Sequence, residues 1–254
     1  ERVFSRAWMV VGFSHRVSKR GDYLTFDELG QSIFVIRAKE GRLRAFHNTC
    51  RHRGTRLLDG QGCVKAIRCP YHDWKYSIDG QLKHIPGKEG FSIPLDRREL
   101  GLIPLHVAEA LGFVWVNFDA DPPPLLASLG SAVEEIAPYR LEEMRPIQEV
   151  TWTLDCNWKA LIDNATESYH IAMVHGSSVD PLTHELPDFR TYGDHYRLSL
   201  NIGDYQWRRL IDRFTSRGGP YTARQMSALH KYVFFPNVLI NLVPAHLTVF
   251  QVWP

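Results

Sequence analysis

Two short segments in the first third of the chain each place a cysteine close to a histidine. The first contains Cys50 and His52, and the second, after sixteen intervening residues, contains Cys69 and His72. If the segments lie at the tips of neighbouring hairpins, their side chains can surround one metal centre. A [2Fe–2S] cluster with two thiolate and two imidazole ligands needs this set of residues. A zinc site is the alternative, but C-x-H is an unusual zinc spacing, so the pattern favours the cluster.

A second group of metal-binding residue types, Glu167, His170 and His175, lies in the second half of the chain. Many non-haem Fe(II) sites use two histidines and one carboxylate, which leaves coordination positions open for O₂ and substrate. Glu167 and His170 share one face of a helix. His170 and His175 are about 140° apart around an ideal helix, so a break or π-bulge near residues 172–174 is predicted. The alternative is that both histidines are polar helix-end residues and Glu167 is a surface charge.

The charge balance argues against several kinds of partner. The chain has 30 Lys and Arg residues and 28 Asp and Glu residues, so no excess charge favours nucleic acid or a membrane surface. No apolar run approaches the roughly 20 residues that span a bilayer, and the N-terminal residues lack a signal-peptide pattern. These features predict a cytoplasmic protein that binds neither nucleic acid nor membrane.

Four cysteines are too few to form a disulfide scaffold in a chain of 254 residues. Two of them, Cys50 and Cys69, are candidate cluster ligands. We predict that the other two, Cys63 and Cys156, are buried and act as small apolar side chains.

Residues 1–120 have the pattern of a β domain, with short apolar runs at 8–13, 32–37 and 113–118 between glycine-rich segments. Two hairpins are predicted, one over residues 37–46 with Gly41 central, and one over residues 76–82 with a two-residue Asp79-Gly80 turn. The proline-rich segment 119–124 marks the expected boundary. The second domain is then residues 121–254.

The second domain mixes helical and strand patterns. A short helix is predicted over residues 125–137, and a longer one over 155–174. Further helices are expected over 204–216 and 222–232, and strands over 233–235, 238–243 and 247–253. The apolar face of the longer helix consists of Trp158, Leu161, Ile162, Ala165 and Tyr169. The predicted fold class is α+β, with an antiparallel sheet, helices on one face and a helix-grip-like arrangement.

The segments 51–54 and 69–74 resemble the ligand loops of Rieske oxygenases and their ferredoxins. Respiratory Rieske proteins have an extra cysteine in each loop and join the loops by a disulfide. Thr55 and Tyr71 occupy those places here, which favours the low-potential oxygenase or ferredoxin branch and a reducing compartment. The order Asn157-Trp158-Lys159, then E-x-x-H-x₄-H, is similar to the catalytic domain of this family. The chain is thus identified as a Rieske non-haem iron oxygenase alpha subunit of the ring-hydroxylating type.

The resemblance implies a role for each candidate residue. Cys50, His52, Cys69 and His72 hold the Rieske cluster, and His170 and His175 hold the mononuclear Fe(II). Glu167 joins an iron histidine to a cluster histidine of the neighbouring subunit and carries the electron path. Aspartate is commoner at this place; glutamate is met more often among monooxygenases and demethylases. Asn164 either lies near the iron or serves as a cap or packing residue.

The family's third iron ligand is an aspartate far downstream of the second histidine. Among the aspartates that follow His175, four are too close to it to match this pattern, and none of them is assigned: Asp180, Asp188, Asp194 and Asp204. We therefore expect the third ligand beyond Pro254 and interpret the chain as incomplete at its C-terminus.

The resemblance also implies partners. Electrons pass from NAD(P)H through a ferredoxin, a flavin reductase or both, and O₂ is the co-substrate. The substrate is expected to be a small organic, aromatic molecule that is dihydroxylated, monohydroxylated or demethylated. A head-to-tail homotrimer is expected, with a beta subunit left open. Two alternatives remain, a Rieske ferredoxin without oxygenase activity and a zinc-stabilised binding module.

Several other residues have candidate roles. His47, His84 and His106 are interpreted as surface or hydrogen-bonded histidines of the cluster domain. Residues 236–241 resemble a strand that lines the family's substrate pocket, with core packing as the alternative. A positive rim for an acidic ferredoxin, or scattered surface charge, is formed by Arg51, Arg53 and Lys75.

Overall fold

The computed structural model describes residues 3–175, 187–201, 225, 227–243 and 246–254. The chain forms two compact units, Glu1–Pro122 and Pro123–Pro254. The division falls within the proline-rich segment 119–124, where three consecutive prolines cannot donate backbone hydrogen bonds.

The first unit consists of short antiparallel strands. In chain order they are β1 (Met9–Phe13), β2 (Asp22–Phe26), β3 (Ile33–Arg37), β4 (Leu43–His47), β5 (Gln61–Cys63), β6 (Ile67–Arg68), β7 (Lys75–Tyr76), β8 (Leu82–His84), β9 (Pro104–Ala110) and β10 (Phe113–Asn117). Seven of them form one sheet in the order β1-β10-β9-β4-β3-β2-β5, and β6-β7-β8 form a second. Residues 33–36 of β3 are fully buried, so both faces of this central strand are covered.

The hairpin predicted over residues 37–46 is confirmed. Strands β3 and β4 pair in register from Ile33↔His47 to Arg37↔Leu43. The turn between them uses Glu40 and Gly41 in the left-handed region, with φ of 58° and 72°.

The second predicted hairpin is present with a different turn. Ser77 N donates to Gln81 O (2.9 Å) and Gly80 N donates to Ser77 O (2.9 Å), so three residues form the loop instead of the dipeptide Asp79-Gly80. Gly80 has φ +85° and follows the first turn residues, as in hairpins with a glycine bulge. The sequence indicated the turn, but the pairing of the flanking residues set its length.

We expect Gly80→Ala to lower the free energy of unfolding by about 1–3 kcal/mol. An added Cβ would lie 2.4 Å from Cε1 of Phe46 and would also occupy a positive-φ position. Gly87→Ala is the matched control, because its φ is +61° but nothing lies within 4 Å of the added Cβ. Urea unfolding of both variants separates the cost of alanine at a positive φ from the cost of the steric clash with Phe46. Equal losses in the two variants would show that the contact with Phe46 contributes nothing.

The described residues of the second unit form four short α-helices and one antiparallel sheet. The helices are α1 (Leu125–Leu129), α2 (Ala132–Ile136), α3 (Trp158–Ala165) and α4 (Ile171–Val174). The strands are β11 (Asp188–Tyr192), β12 (His195–Asn201), β13 (Ala228–Phe234), β14 (Val238–Val243) and β15 (His246–Gln251). They follow one another in the sheet as a meander.

Two of the helix predictions need correction. The helix expected over 125–137 is divided into α1 and α2 by Gly130, which ends α1 with φ +58°. The last residues of the helix predicted over 222–232 belong to β13, because this segment pairs with β12 on one side and β14 on the other. Strand pairing has overridden the local helical pattern. The helix predicted over 204–216 lies outside the described residues.

Helical segments contact both faces of the five-stranded sheet, not one face as expected. On one face, Ile171 of α4 packs with Leu198 and Leu200. Trp158, Leu161, Ile162 and Ala165 of α3 lie on the same face, against Val233, Leu239 and Val252. On the other face, Glu135 of α2 accepts hydrogen bonds from Tyr192 (2.5 Å) and Arg197 (2.5 Å). Among the described residues, no helix is long and apolar enough to cross a membrane.

Candidate metal sites

The two cysteine–histidine segments fold into loops with matching backbone bonds. In the first, Cys50 N donates to Thr55 O (2.8 Å), and Gly54 N donates to Cys50 O (3.0 Å). In the second, Cys69 N donates to Trp74 O (2.9 Å), and Asp73 N donates to Cys69 O (3.1 Å). The second loop caps the β6–β7 hairpin, and a bridge between Thr49 and Arg56 closes the first. The fold therefore holds each cysteine in a short, internally bonded loop.

The structure brings the four predicted cluster ligands together. Cys50 and Cys69 are buried in one apolar cluster that also contains Trp74 and Tyr76. The ring centroids of His52 and His72 are 4.7 Å apart, and His52 stacks on Trp74 at 4.9 Å with an interplanar angle of 5°. The site therefore has two thiols in the core and two imidazoles towards the surface.

The hydroxyl of Tyr76, in β7, contacts two consecutive residues at the start of the first loop. Its hydroxyl lies 3.4 Å from Cys50 Sγ and accepts a hydrogen bond from Arg51 N (3.1 Å). Burial raises the pKa of the Cys50 thiol, and the tyrosine hydroxyl acts in the opposite direction. A hydrogen bond to the sulfur is a means of tuning a bound cluster's potential.

The donor set fits a [2Fe–2S] cluster. His52 Nδ1 is buried and has no hydrogen-bond partner among the described residues, which is unusual for a polar atom unless another group occupies its vicinity. Within the described part, no group of three or more His, Cys, Asp or Glu side chains could hold a single metal ion. A Rieske cluster divides its four ligands into one pair for each iron, so it does not require such a group.

The second site lies where the predicted long helix is interrupted. Asn157 caps α3, accepting a hydrogen bond from Lys159 N (3.0 Å), and α3 ends at Ala165. A turn over residues 166–170 separates it from α4, whose flanking residues are His170 and His175. The break occurs earlier than residues 172–174, where it was predicted. It has the required effect, because the two imidazole centroids are 5.4 Å apart.

Glu167 is fixed against the first of these histidines. Its Oε1 is hydrogen-bonded to His170 Nδ1, and its Oε2 accepts from the backbone N–H groups of Tyr169 and His170. The hydrogen bond with His170 is the main cause that lowers the pKa of Glu167. Because Nδ1 of His170 is occupied, Nε2 is its nitrogen available to a metal.

The remaining residues that the sequence analysis named in this part of the chain are the following. Tyr169, which was assigned to the apolar face, is 94% exposed, because the helix has ended before it. Asn164 is exposed on α3, and its role near the iron stays a prediction. Asp188 forms an ion pair with Arg197 (2.6 Å) and Asp194 lies in the β11–β12 turn, while Asp180 and Asp204 lie outside the described residues.

The prediction that Cys63 and Cys156 are buried is wrong, because both are exposed. Cys63 ends β5, an edge strand of the seven-stranded sheet, and Cys156 precedes α3 in a segment without regular structure. Two of the cluster-domain histidines are as predicted, because His106 Nε2 is bonded to Ala120 O (3.1 Å) and His84 is exposed. His47 is half-buried beside the ring of Phe118, and its role stays a prediction.

Two polar residues lie on the face of the sheet that α3 and α4 cover. Lys231 was not predicted, whereas Asn241 belongs to the segment 236–241, which was predicted as a strand and largely forms β14. Lys231 of β13 and Asn241 of β14 lie opposite each other in the strand register. A lysine inside a largely apolar strand is the signal in the sequence that could have identified this position.

Two family models match the chain. The Rieske [2Fe-2S] domain matches residues 7–97, and the ring hydroxylating alpha subunit (catalytic domain) matches residues 141–254. The chain belongs to the Rieske non-haem iron oxygenases, with the domain order of their alpha subunits. The predicted α+β fold class, with a [2Fe–2S] domain followed by a non-haem iron catalytic domain, is confirmed.

The most similar proteins include oxygenase subunits of known monooxygenases. The chain is 35% identical over 257 residues to the carnitine monooxygenase oxygenase subunit of Escherichia coli (strain K12), covering 96% of this chain and 63% of the relative. It is 33% identical over 171 residues to the glycine betaine monooxygenase oxygenase subunit of Pseudomonas aeruginosa (strain UCBPP-PA14), covering 67% of this chain and 39% of the relative. The chain thus spans less than two thirds of the length of these relatives.

A solved structure is similar over the whole chain. The crystal structure of the quaternary ammonium Rieske monooxygenase CntA, in complex with an inhibitor, has a TM-score of 0.84 and 25% sequence identity. The match covers 100% of this chain and 67% of that chain.

Proposed function

We propose that this chain is the terminal oxygenase component of a Rieske monooxygenase that acts on a small quaternary ammonium compound. The observation that carries the proposal is the arrangement of His170 and His175 on either side of one helical turn, with Glu167 bonded to His170. Relatives named for carnitine and glycine betaine support this substrate class. A quaternary ammonium substrate is therefore proposed in place of the aromatic substrate expected from the sequence.

Cys50, His52, Cys69 and His72 are the proposed ligands of the cluster, which supplies single electrons when it is bound. The two buried thiols would hold one iron, and the two histidine rings, whose centroids are 4.7 Å apart, would hold the other. The stack of His52 on Trp74 fixes the plane of this imidazole. The exposed position of His72 leaves one edge of the site open to a redox partner.

His170 and His175 are the proposed protein ligands of Fe(II), which activates O₂ when it is bound. His170 donates Nδ1–H to Glu167 and presents Nε2, an arrangement common for metal-binding histidines. The single turn of α4 sets the distance between the two imidazoles, with Val174 N bonded to His170 O (2.9 Å) and His175 N bonded to Ile171 O (2.8 Å).

Glu167 is the proposed electron bridge between subunits. Its side chain is 40% exposed although both carboxylate oxygens already accept hydrogen bonds. Oε2 already accepts from two backbone N–H groups, but Oε1 is bonded only to His170 Nδ1. Oε1 therefore has a second lone pair and can accept a further N–H from a cluster histidine of a neighbouring subunit. A head-to-tail ring of subunits, expected to be a homotrimer, provides such a neighbour for every subunit.

The proposed reaction inserts one oxygen atom into a C–H bond next to the ammonium nitrogen. One O₂, two electrons and two protons give the hydroxylated carbon and one water. The carbon–nitrogen bond then breaks, and the products are an aldehyde and a protonated tertiary amine. The electrons come from NAD(P)H through a flavin reductase, with or without a ferredoxin, and the exposed Arg51 and Arg53 provide a positive rim for an acidic partner.

The first experiment is metal and sulfide analysis of anaerobically purified protein, followed by low-temperature EPR after dithionite reduction. We expect about three irons and two sulfides per chain and the low average g of a histidine-ligated cluster. About two irons per chain would indicate an electron carrier, and a colourless zinc protein would indicate a binding module. A panel of carnitine, glycine betaine, choline and naphthalene, with a reductase supplied, then tests the substrate class through O₂ consumption and amine release.

A further inference from the structure

Lys231 lies on the sheet face that the iron-site helices cover. In the strand register it is opposite Leu198 of β12 and Asn241 of β14, and directly opposite residues share one face of an antiparallel sheet. Leu198 packs against Ile171 of α4. The side chain of Lys231 therefore extends from the sheet towards the layer that contains Glu167 and His170.

This lysine is half-buried between two apolar clusters. Leu198 and Leu200 with Ile171 form the first cluster, and Val233 and Leu239 with residues of α3 form the second. Burial lowers the pKa of Lys231, and the carboxylate of Glu167 opposes that effect. Within the described part of the chain, Lys231 makes no ion pair at contact distance. A cationic group in such surroundings is stabilised by an anion that reaches it.

Asn241 provides a second, independent observation on the same face. Its Oδ1 is buried and has no hydrogen-bond partner among the described residues. A buried amide oxygen is normally bonded, so a polar group of a ligand or an ordered water is expected beside it. Because Asn241 is the cross-strand neighbour of Lys231, the two side chains define one polar patch in an otherwise apolar layer.

We propose that Lys231, with Asn241 beside it, forms an anion subsite of the substrate pocket and binds a carboxylate of the quaternary ammonium substrate. This inference rests on the proposed function and narrows its substrate class to betaine-type molecules, which have both a carboxylate and an ammonium group. Choline, which has the same trimethylammonium group but a hydroxyl in place of the carboxylate, is then a poor substrate.

The two charges of the site match those of a betaine. Lys231 is the positive group, and Glu167 is a negative group whose charge acts on it. A zwitterion with its carboxylate at Lys231 directs its ammonium group towards Glu167 and the adjacent His170. Such complementarity of charge favours one orientation of the substrate over the reverse.

The test compares glycine betaine with choline in the metal-loaded protein. Calorimetric binding and steady-state turnover are measured for wild type, Lys231→Met and Lys231→Arg. We expect Lys231→Met to raise both the Kd and the KM for glycine betaine about 10- to 100-fold, as for loss of a charged hydrogen bond. Its values for choline should change by less than about 2-fold. Lys231→Arg keeps the charge and should retain most of the binding.

Controls distinguish misfolding of a variant, failure of the anion subsite and failure of the proposed function. Lys39→Met, in the exposed β3–β4 turn, is the matched control for removal of a lysine, and iron content checks each variant. If Lys231→Met does not fold, Lys231→Gln replaces it. An equal loss of kcat for both substrates with unchanged Kd would overturn the subsite, because Lys231 would then act only through Glu167. If wild type binds no quaternary ammonium compound, the proposed function fails and the subsite fails with it.

Discussion

Replacing Glu167 by alanine should slow turnover strongly and leave both metal sites occupied. The carboxylate is bonded to Nδ1 of His170, a proposed iron ligand, and is 40% exposed, so it can join that histidine to a group of another subunit. Removing it cuts that link. We expect kcat to fall by about 100-fold, the upper end of the losses seen when a partner of a metal-binding histidine is removed. Single-turnover oxidation of the reduced cluster measures the blocked step directly.

Two further variants give this experiment its controls. Glu167→Asp keeps the carboxylate and should recover part of the rate, because aspartate is the commoner residue at this place in the family that the sequence resembles. Glu134→Ala removes an exposed glutamate of α2 and should leave the rate unchanged. Full activity of Glu167→Ala, with normal coupling of O₂ to product, would exclude the bridging role. Loss of iron from that variant would instead show that Glu167 mainly holds His170 in position.

The second large effect is expected for His52→Cys. Thiolate donates more negative charge than neutral imidazole, so an iron with a cysteine in place of His52 should be harder to reduce. Clusters with two histidine ligands have potentials of about −150 to +300 mV, whereas plant-type clusters with four cysteines lie near −400 mV. We therefore expect the variant to retain a cluster whose potential is lower by on the order of 100 mV or more.

Redox titration followed by EPR measures this shift, and the average g value should rise towards that of an all-cysteine cluster. His84→Cys adds a cysteine at an exposed histidine of β8 and is the matched control. Its potential should equal that of wild type. An unchanged potential in His52→Cys would contradict ligation by His52, and the buried, unpartnered Nδ1 atom would then need another explanation.

Much of the architecture could be predicted from local features of the sequence. The β3–β4 hairpin follows from apolar runs on either side of Gly41, which adopts the left-handed conformation that glycine tolerates. The apolar face of α3 was predicted from the spacing of Trp158, Leu161, Ile162 and Ala165, and these residues pack against the sheet. Such features depend on neighbours a few positions away, so a single sequence contains them.

Other features depend on contacts between distant parts of the chain. The segment Ala228–Phe234 has a partly helical pattern, but strands on both sides make it β13. Cys63 has a residue type that is usually buried, but an edge position exposes it. Tyr169 fits the periodicity of α3, but the helix ends before it. In each case tertiary position outweighed the preference of the residue type.

The sequence by itself determined which residue types could hold the metals. The paired spacing of Cys50, His52, Cys69 and His72 indicated a cluster, and Glu167, His170 and His175 indicated an iron site. Only the tertiary structure decided where the helix breaks, and thereby that His170 and His175 face each other. It also decided that Lys231 lies beneath them, because strand register, which sequence spacing does not specify, sets the face of the sheet to which a side chain belongs.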